Sequence, residues 1–472
     1  MSQHCAREGM GAVDRAWLEM DEPGNPMVIS ALFQLDGPVD AAQFQKTLVE
    51  RLLRYPRFRQ RVDGSHSTAC WVEDEELDFC YHVQVRRLPE TDFEQQLRRA
   101  VSTEVSRDLE HDRPLWRLLL FPHHGGPITV LFRAHHALAD GVALVQMLLD
   151  STDANAGSPA QRQGGGKKLR GSLLGHLADE IEWLGSGLHR LGGAARELRR
   201  PRKLLQRLEQ GRATLGAIQR VLRLPRNRPE AFGKPLSGRR DVAWIDGVPF
   251  APLRRLAHQL DVHVNDVFMA LLAGALGRHL HHGTEQLPEQ QNLRVSIPVN
   301  LRSETGPDLG NQFGLVLLDL PVGLRDPRQR LRTVSQRMTA LKASLEARVT
   351  LAGLAAAGHL PVPLEKKLVG VIGAKSTAVV SNLPGPKRHI RIAGARLRNL
   401  VFWPPQAGGI GIGISFFTYA GELSIGISAD HNLLPHPQRL LEAMHEELRL
   451  LQRLGRNAQR SAARRKAAVA AL

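Results

Sequence analysis

Two stretches of this sequence, residues 10–150 and 241–454, alternate strand-like and helix-like patterns, and about ninety residues of different character separate them. That alternation commits each block to a sheet covered by helices, because an amphipathic helix must bury its apolar stripe against a neighbouring layer. In the first block Pro26 to Leu35 (PMVISALFQL) reads as a strand. Asp40 to Leu53 reads as a helix with Phe44, Leu48 and Leu52 on one side. Phe79 to Val85 alternates like a strand, and Phe93 to Val105 has helical spacing. Ile128 to Ala134 is a buried-strand run, joined by a polar turn to an apolar helix over Val142 to Leu149. In the second block Val264 to Leu280 is a long apolar helix. Leu293–Val299, Gly314–Leu320, Ser376–Ser381, Ile410–Phe417 and Leu423–Ser428 read as strands, and His436–Leu454 as a last helix.

The separator opens with a small, polar, Gly-rich linker, residues 151–168. A leucine stripe follows over 174–198, weakened by four glycines and interrupted by Pro201, and then a second basic amphipathic stretch over 204–224. The expected division is a first half over 1–160, a basic crossover over 161–240, a second half over 241–455 and a frayed basic tail over 456–472.

Charge follows the same division. The chain carries 63 Lys and Arg against 47 Asp and Glu, a net of +16. Residues 161–240 hold 19 basic and 6 acidic side chains, and residues 451–472 add six basic and no acidic ones. The two patterned blocks are therefore slightly acidic, and the excess belongs to the crossover and the tail. A basic amphipathic segment of this kind suits an anionic membrane or a lipid-droplet surface. It equally suits a crossover whose leucines pack on the body with the charges outward, and the sequence leaves both open. Nucleic acid is disfavoured as a partner: Trp183 is the only aromatic between Gly171 and Pro229, and no zinc-finger or RNA-binding signature occurs. Three cysteines, Cys5, Cys70 and Cys80, without a C-x-x-C, argue against a disulfide framework. With no apolar h-region at the N-terminus and no run of about 18 apolar residues, a cytoplasmic location is expected. Membrane contact would then be peripheral, on the inner membrane face or on lipid inclusions.

The segment that carries chemistry is Ala134-His135-His136-Ala137-Leu138-Ala139-Asp140-Gly141. It lies between a buried strand and a helix, where a loop presents side chains to a cleft. Two adjacent histidines point different ways, so one can face substrate while the other supports it. Asp140 stands at a helix entrance, suited to capping it or to an ion pair, and Gly141 permits a tight turn or a close approach. Two further His-His pairs, His123-His124 and His281-His282, lack this context. Neither H-E-x-x-H nor a G-x-S-x-G elbow is present, so neither a metal nor a serine nucleophile is expected.

HHALADG matches the HHxxxDG signature of acyltransferases related to chloramphenicol acetyltransferase and to condensation domains. Further segments resemble one branch, the bacterial wax ester synthase/diacylglycerol acyltransferases. These are VDRAWLEMDEPGNPM (13–27), Pro114-Leu115-Trp116 as a PLW motif, Asn265-Asp266 as an ND motif, and Ser381-Asn382-Leu383-Pro384-Gly385-Pro386 as an SNVPGP segment with Leu for Val. The matches run in order over residues 10–450.

The resemblance implies an α/β fold of two chloramphenicol-acetyltransferase-like halves with the active site at their interface. It implies O-acyl transfer without a cofactor, acyl-CoA being a substrate, to a fatty alcohol (wax ester) or a diacylglycerol (triacylglycerol biosynthesis). His136 would be the general base, with His135 and Asp140 in support. Gly141, Asn265, Asp266, Ser381, Asn382, Pro384, Gly385, Pro114, Leu115 and Trp116 are the other motif positions. Asn265 and the Ser381-Asn382 segment are candidates to hold the oxyanion; a helix N-cap at Asn265 and a plain turn after Asn382 are the alternatives. Trp116 would organise a tunnel or the core. The competing enzyme reading is a condensation-type acyltransferase that takes its acyl group from a carrier protein.

Overall fold

The computed structural model describes residues 7–37, 40–65, 68–123, 127–155, 223–225, 227, 232–281, 287–300, 313–342, 369–371 and 373–470, with side chains up to residue 457. The linker beyond residue 155, the leucine stripe of 174–198 and nearly all of 204–224 lie outside them.

Fifteen strands among the described residues form three sheets. In chain order they are β1 (Glu8–Gly9), β2 (Val28–Asp36), β3 (Gln60–Asp63), β4 (Cys70–Glu73), β5 (Val83–Val85), β6 (Trp116–Pro122), β7 (Ile128–His135) and β8 (Arg240–Pro249). The rest are β9 (Leu293–Asn300), β10 (Phe313–Leu320), β11 (Ala378–Pro384), β12 (Arg391–Ile392), β13 (Ala395–Trp403), β14 (Ile412–Tyr419) and β15 (Glu422–Asp430). The helices of the first half are α1 (Ala12–Glu19), α2 (Ala41–Leu52), α3 (Phe79–His82), α4 (Phe93–Val105) and α5 (Gly141–Asp150). Those of the second half are α6 (Ala251–Gln259), α7 (Val264–His281), α8 (Pro327–Lys342) and α9 (Pro437–Ala470).

The two six-stranded sheets run β12-β13-β2-β7-β6-β5 and β10-β9-β11-β14-β15-β8. The first sheet is shared between the halves. Strand β13 pairs antiparallel with β2, Phe402 opposite Ala31 and Trp403 opposite Ser30, so the second half supplies two strands of the first half's sheet. Alternation along β2 and β7 gives this sheet two dissimilar faces. Phe33, Val130, Phe132, Ala134, Leu400 and Phe402 pack under α2 and α5. Leu32, Leu131, Val401 and Trp403 on the other face meet Leu97, Val101 and Val105 of α4 and Val242 and Trp244 of β8. This second packing layer joins the halves through apolar contact.

The second half is built on α7, buried almost throughout. It packs against α6, α8 and α9, and beneath it the carboxylate of Glu447 on α9 pairs with the guanidinium of Arg330 on α8. Among the described residues no single helix is long and apolar enough to cross a membrane; α6 and α7 together reach the length, but with a bend of 103° between them. The burial of α7 identifies it as a core helix.

Three sequence expectations change. Phe79 to His82 is a helical turn rather than strand, and only Val83–Val85 is extended. The Asp78 carboxylate accepts from Cys80 N and Tyr81 N, and this cap overrides the local alternation. Asn265 and Asp266 are not the N-cap of α7, which begins at Val264. Instead Asp266 reaches back to accept from His263 N at 3.0 Å, like the third helical residue of a capping box. Over the tail, expected to be frayed, the α9 backbone is helical to Ala470.

Candidate active site

His135 closes β7 and His136 begins the loop that leads into α5. The chain is pinned on both sides of the pair. His135 N donates to Leu115 O at 2.9 Å, and His136 N donates to Met27 O at 2.7 Å. Asp140 then accepts from Ala143 N at 2.9 Å, which caps α5 and fixes the far end of the loop. Both histidines and Asp140 are buried.

His135 faces a carboxylate that the motif reading did not single out. Its Nδ1 accepts from Ala137 N at 3.0 Å, so in the neutral ring the proton sits on Nε2. That Nε2 is 3.1 Å from Asp21 Oδ2. The same oxygen lies 2.8 Å from His111 Nε2, and Asp21 Oδ1 accepts from Met27 N at 2.5 Å. Burial alone would raise the Asp21 carboxyl, but His135, His111 and the Met27 N–H override it and hold the group well below the usual carboxylate range. The Asp21 contact in turn raises the His111 imidazole. Asp21, His111 and His135 are close enough together to suggest a metal triad. The tautomer argues otherwise: with Nδ1 already accepting a backbone N–H, a neutral His135 has no lone pair on Nε2 to give a metal.

His136 lies against Trp17 of α1, ring centroids 4.2 Å apart and planes 19° apart. Trp17, Asp21 and Met27 all belong to the segment 13–27, so that one stretch packs against both histidines.

Beside α5, on the apolar face of the first sheet, lies a cavity of about 660 Å³, part of it open to solvent. Ile29, Ala31, Phe33, Phe132 and Phe402 form its floor, with Leu48 and Leu52 of α2 and Gly141, Leu144, Val145 and Leu148 of α5 around it. Leu383 and Phe417 contribute from the second sheet. Among the described residues Ser151 is the one lining residue with a polar side chain.

The profile of the wax ester synthase/diacylglycerol acyltransferase catalytic domain matches residues 10–268, more than half of the chain, and the profile of the WS/DGAT C-terminal domain matches residues 309–452. The chain belongs to the wax ester synthase/diacylglycerol acyltransferase family. It is an O-acyltransferase. A Mycobacterium tuberculosis protein named "Probable diacyglycerol O-acyltransferase tgs1" is 27% identical over 438 residues, 89% of this chain and 90% of that relative. The fold is similar to the solved wax ester synthase/diacylglycerol acyltransferase from Marinobacter aquaeolei VT8, with TM-score 0.66 and 20% identity over 95% of this chain and 99% of that one. It is also similar to the first condensation domain of the CDA synthetase, with TM-score 0.58 and 16% identity over 95% and 96%. The two-halved α/β architecture is thus that of wax ester synthases and condensation domains.

The other family motifs fall at different distances from the histidines. In the PLW segment Leu115 holds His135 through its carbonyl, and Trp116 N donates to Pro114 O at 2.8 Å. Trp116 itself is wholly buried, its Nε1 donating to Phe58 O at 2.9 Å and its ring stacked on His82. It does not line the cavity, so its part is in the core. Ser381 to Pro384 ends strand β11 rather than forming a turn, and the pairing with β14 runs on one residue further, Gly385 N donating to Thr418 O. A side chain at Gly385 would meet the Phe417 ring at 2.5 Å and Thr418 O at 2.8 Å, so that close approach needs glycine. Asn382 Nδ2 donates to Asn265 Oδ1 at 3.4 Å, which brings the SNLPGP and ND motifs together. Asp266 is turned into the core, accepting from Ser335 Oγ at 2.9 Å. The link from this group to the HHxxxDG loop is Leu383: a Cβ at Gly141 would stand 2.8 Å from its Cδ1.

Proposed function

We propose that the enzyme moves a long acyl chain from acyl-CoA to the hydroxyl of a fatty alcohol, giving a wax ester, or of a diacylglycerol, giving a triacylglycerol, with His136 as general base. The observation that supports this best is the apolar cavity that Gly141, at the end of the loop bearing His136, helps to line. Each methylene taken from water into such a cavity contributes about 0.8 kcal/mol, so an aliphatic chain is the natural occupant. The names of the Mycobacterium tuberculosis relative and of the Marinobacter aquaeolei enzyme agree with these acceptors.

In the proposed reaction the acceptor hydroxyl attacks the thioester carbonyl while His136 removes its proton. An alcohol is far too weak an acid to ionise beforehand, and a base near neutrality takes the proton as the C–O bond forms. Collapse of the tetrahedral intermediate breaks the C–S bond. The departing CoA thiolate recovers the proton from His136, so the enzyme ends unchanged. The thioester is already activated, so no acyl-enzyme is required, and both substrates are bound together. Asp140 holds the loop, and Asn265 with Asn382 is the candidate donor pair for the oxyanion.

The acceptors are lipids, and the positive charge of residues 161–240 suits a peripheral stay on an anionic membrane or lipid-droplet surface. The test is a turnover assay with labelled palmitoyl-CoA and either hexadecanol or dioleoylglycerol. Labelled wax ester or triacylglycerol, with intersecting initial-rate lines, is expected. No product from either acceptor, together with product from an acyl-carrier-protein thioester, would favour the condensation-type reading. Parallel lines would indicate a covalent acyl-enzyme.

A further inference from the structure

We propose that Asp21 is a positioning residue for the acyl transfer, holding His136 in place through the backbone and His135 through its ring. The role rests on His136 being the base.

Two hydrogen-bonding groups and the nearby Nε2 of His135 converge on one carboxylate. Oδ1 takes the Met27 N–H at 2.5 Å, and Met27 returns its carbonyl to His136 N at 2.7 Å. Asp21 and His136 are thus two hydrogen bonds apart through the single residue Met27. Oδ2 faces the proton-bearing Nε2 of His135 at 3.1 Å and His111 Nε2 at 2.8 Å. His135 is oriented from both ends, by Ala137 N–H on Nδ1 and by Asp21 on Nε2. Moving Asp21 therefore disturbs the two consecutive residues that place the base.

The chemistry requires a carboxylate. An ionised Asp is acceptor-only, with two oxygens, and all three partners can present N–H. The amide of an isosteric Asn would offer one oxygen and one NH₂. Whichever way it turned, the NH₂ would face either the Met27 N–H or the His135 Nε2–H, donor against donor. Asn therefore keeps the shape and loses one of the two paths. The outer arm is different: the His111 side chain is 44% exposed, so water can replace what it contributes.

A base displaced by a fraction of an ångström loses rate without losing substrate affinity; a misplacement of about 1 Å can cost about a hundredfold. Asp21→Asn is expected to lower kcat ten- to a hundredfold while KM for acyl-CoA and for alcohol each stay within about twofold. His111→Ala should leave kcat near that of the wild type. In the His136→Ala background, Asp21→Asn should add no further loss, because Asp21 acts through His136. If Asp21→Asn does not accumulate as folded protein, Asp21→Glu serves instead. It keeps an acceptor-only group on a longer arm, and kcat should again fall at constant KM.

An unchanged kcat in either variant would overturn the proposal. So would an undiminished further loss in the His136→Ala background, which would mark Asp21 as a merely structural residue. Full activity of His136→Ala alone would instead overturn the general-base reading, so the two failures are distinguishable.

Discussion

The indole of Trp17 stacks on the imidazole of His136, 4.2 Å between ring centroids, and so covers one face of the proposed base. Both rings are buried. Such a contact fixes the imidazole plane and keeps water off one face, and aromatic pairs of this kind contribute about 0.5–1.5 kcal/mol beyond area burial.

Trp17→Phe keeps a flat ring over His136, whereas Trp17→Leu does not. Trp17→Phe should therefore retain most of the turnover, with a lower melting temperature from the volume lost. Trp17→Leu should lose kcat more than it gains in KM. Steady-state kinetics beside thermal melts of both variants check this. Equal kcat in the two would remove any part for the stacking.

On the proposed reading acyl-chain length is set at the cavity, and Leu383 is one of the second-half residues that line it, with Leu400, Phe402 and Phe417. Leu383→Val removes one methylene from the wall, and Leu383→Phe fills space. A chain-length series of acyl-CoAs should show the optimum of kcat/KM moving to longer chains in the first variant and to shorter ones in the second. Each methylene accommodated or refused is about 0.8 kcal/mol, roughly fourfold in kcat/KM. An unmoved optimum in both variants would show that the chain lies elsewhere.

Much of this architecture was legible because it is local. Phe93–Val105 has the bounds its spacing predicted, and β7 followed by α5 could be read from one apolar run, one polar turn and one apolar helix. What could not be read is long-range. Nothing in the pattern of Ala395–Trp403 states that its partner is Val28–Asp36, more than 350 residues earlier, so the strand exchange between halves was invisible. The same holds for the site. Asp140 and the histidines announced themselves by sitting together in HHALADG, but Asp21 and Trp17 lie more than a hundred residues upstream. An Asp and a Trp in an N-terminal helix and turn carry no chemistry until the fold brings them to the imidazoles.

Acid should loosen the first half through His82. Its Nδ1 lies 2.8 Å from Trp116 O and its ring stacks on Trp116, so the neutral form donates from Nδ1. Burial pushes the imidazole below its ordinary value, against the opposing pull of the Trp116 carbonyl. A histidine depressed in the folded state contributes stability that is complete above the unfolded value. That contribution is lost as pH falls below about 6.5, at up to about 1.4 kcal/mol per pH unit. Urea midpoints should therefore drop between neutral and mildly acidic pH, and less steeply in His82→Asn, which keeps a donor near Nδ1 but cannot titrate. Identical pH slopes for wild type and variant would contradict this.

The most direct test of the central claim is the turnover of His136→Ala with acyl-CoA and a fatty alcohol or diacylglycerol, in protein shown to melt like the wild type. Loss of the general base predicts a fall in kcat of about a hundred- to ten-thousandfold, with acyl-CoA binding retained. Ester formation at an undiminished rate would contradict the account.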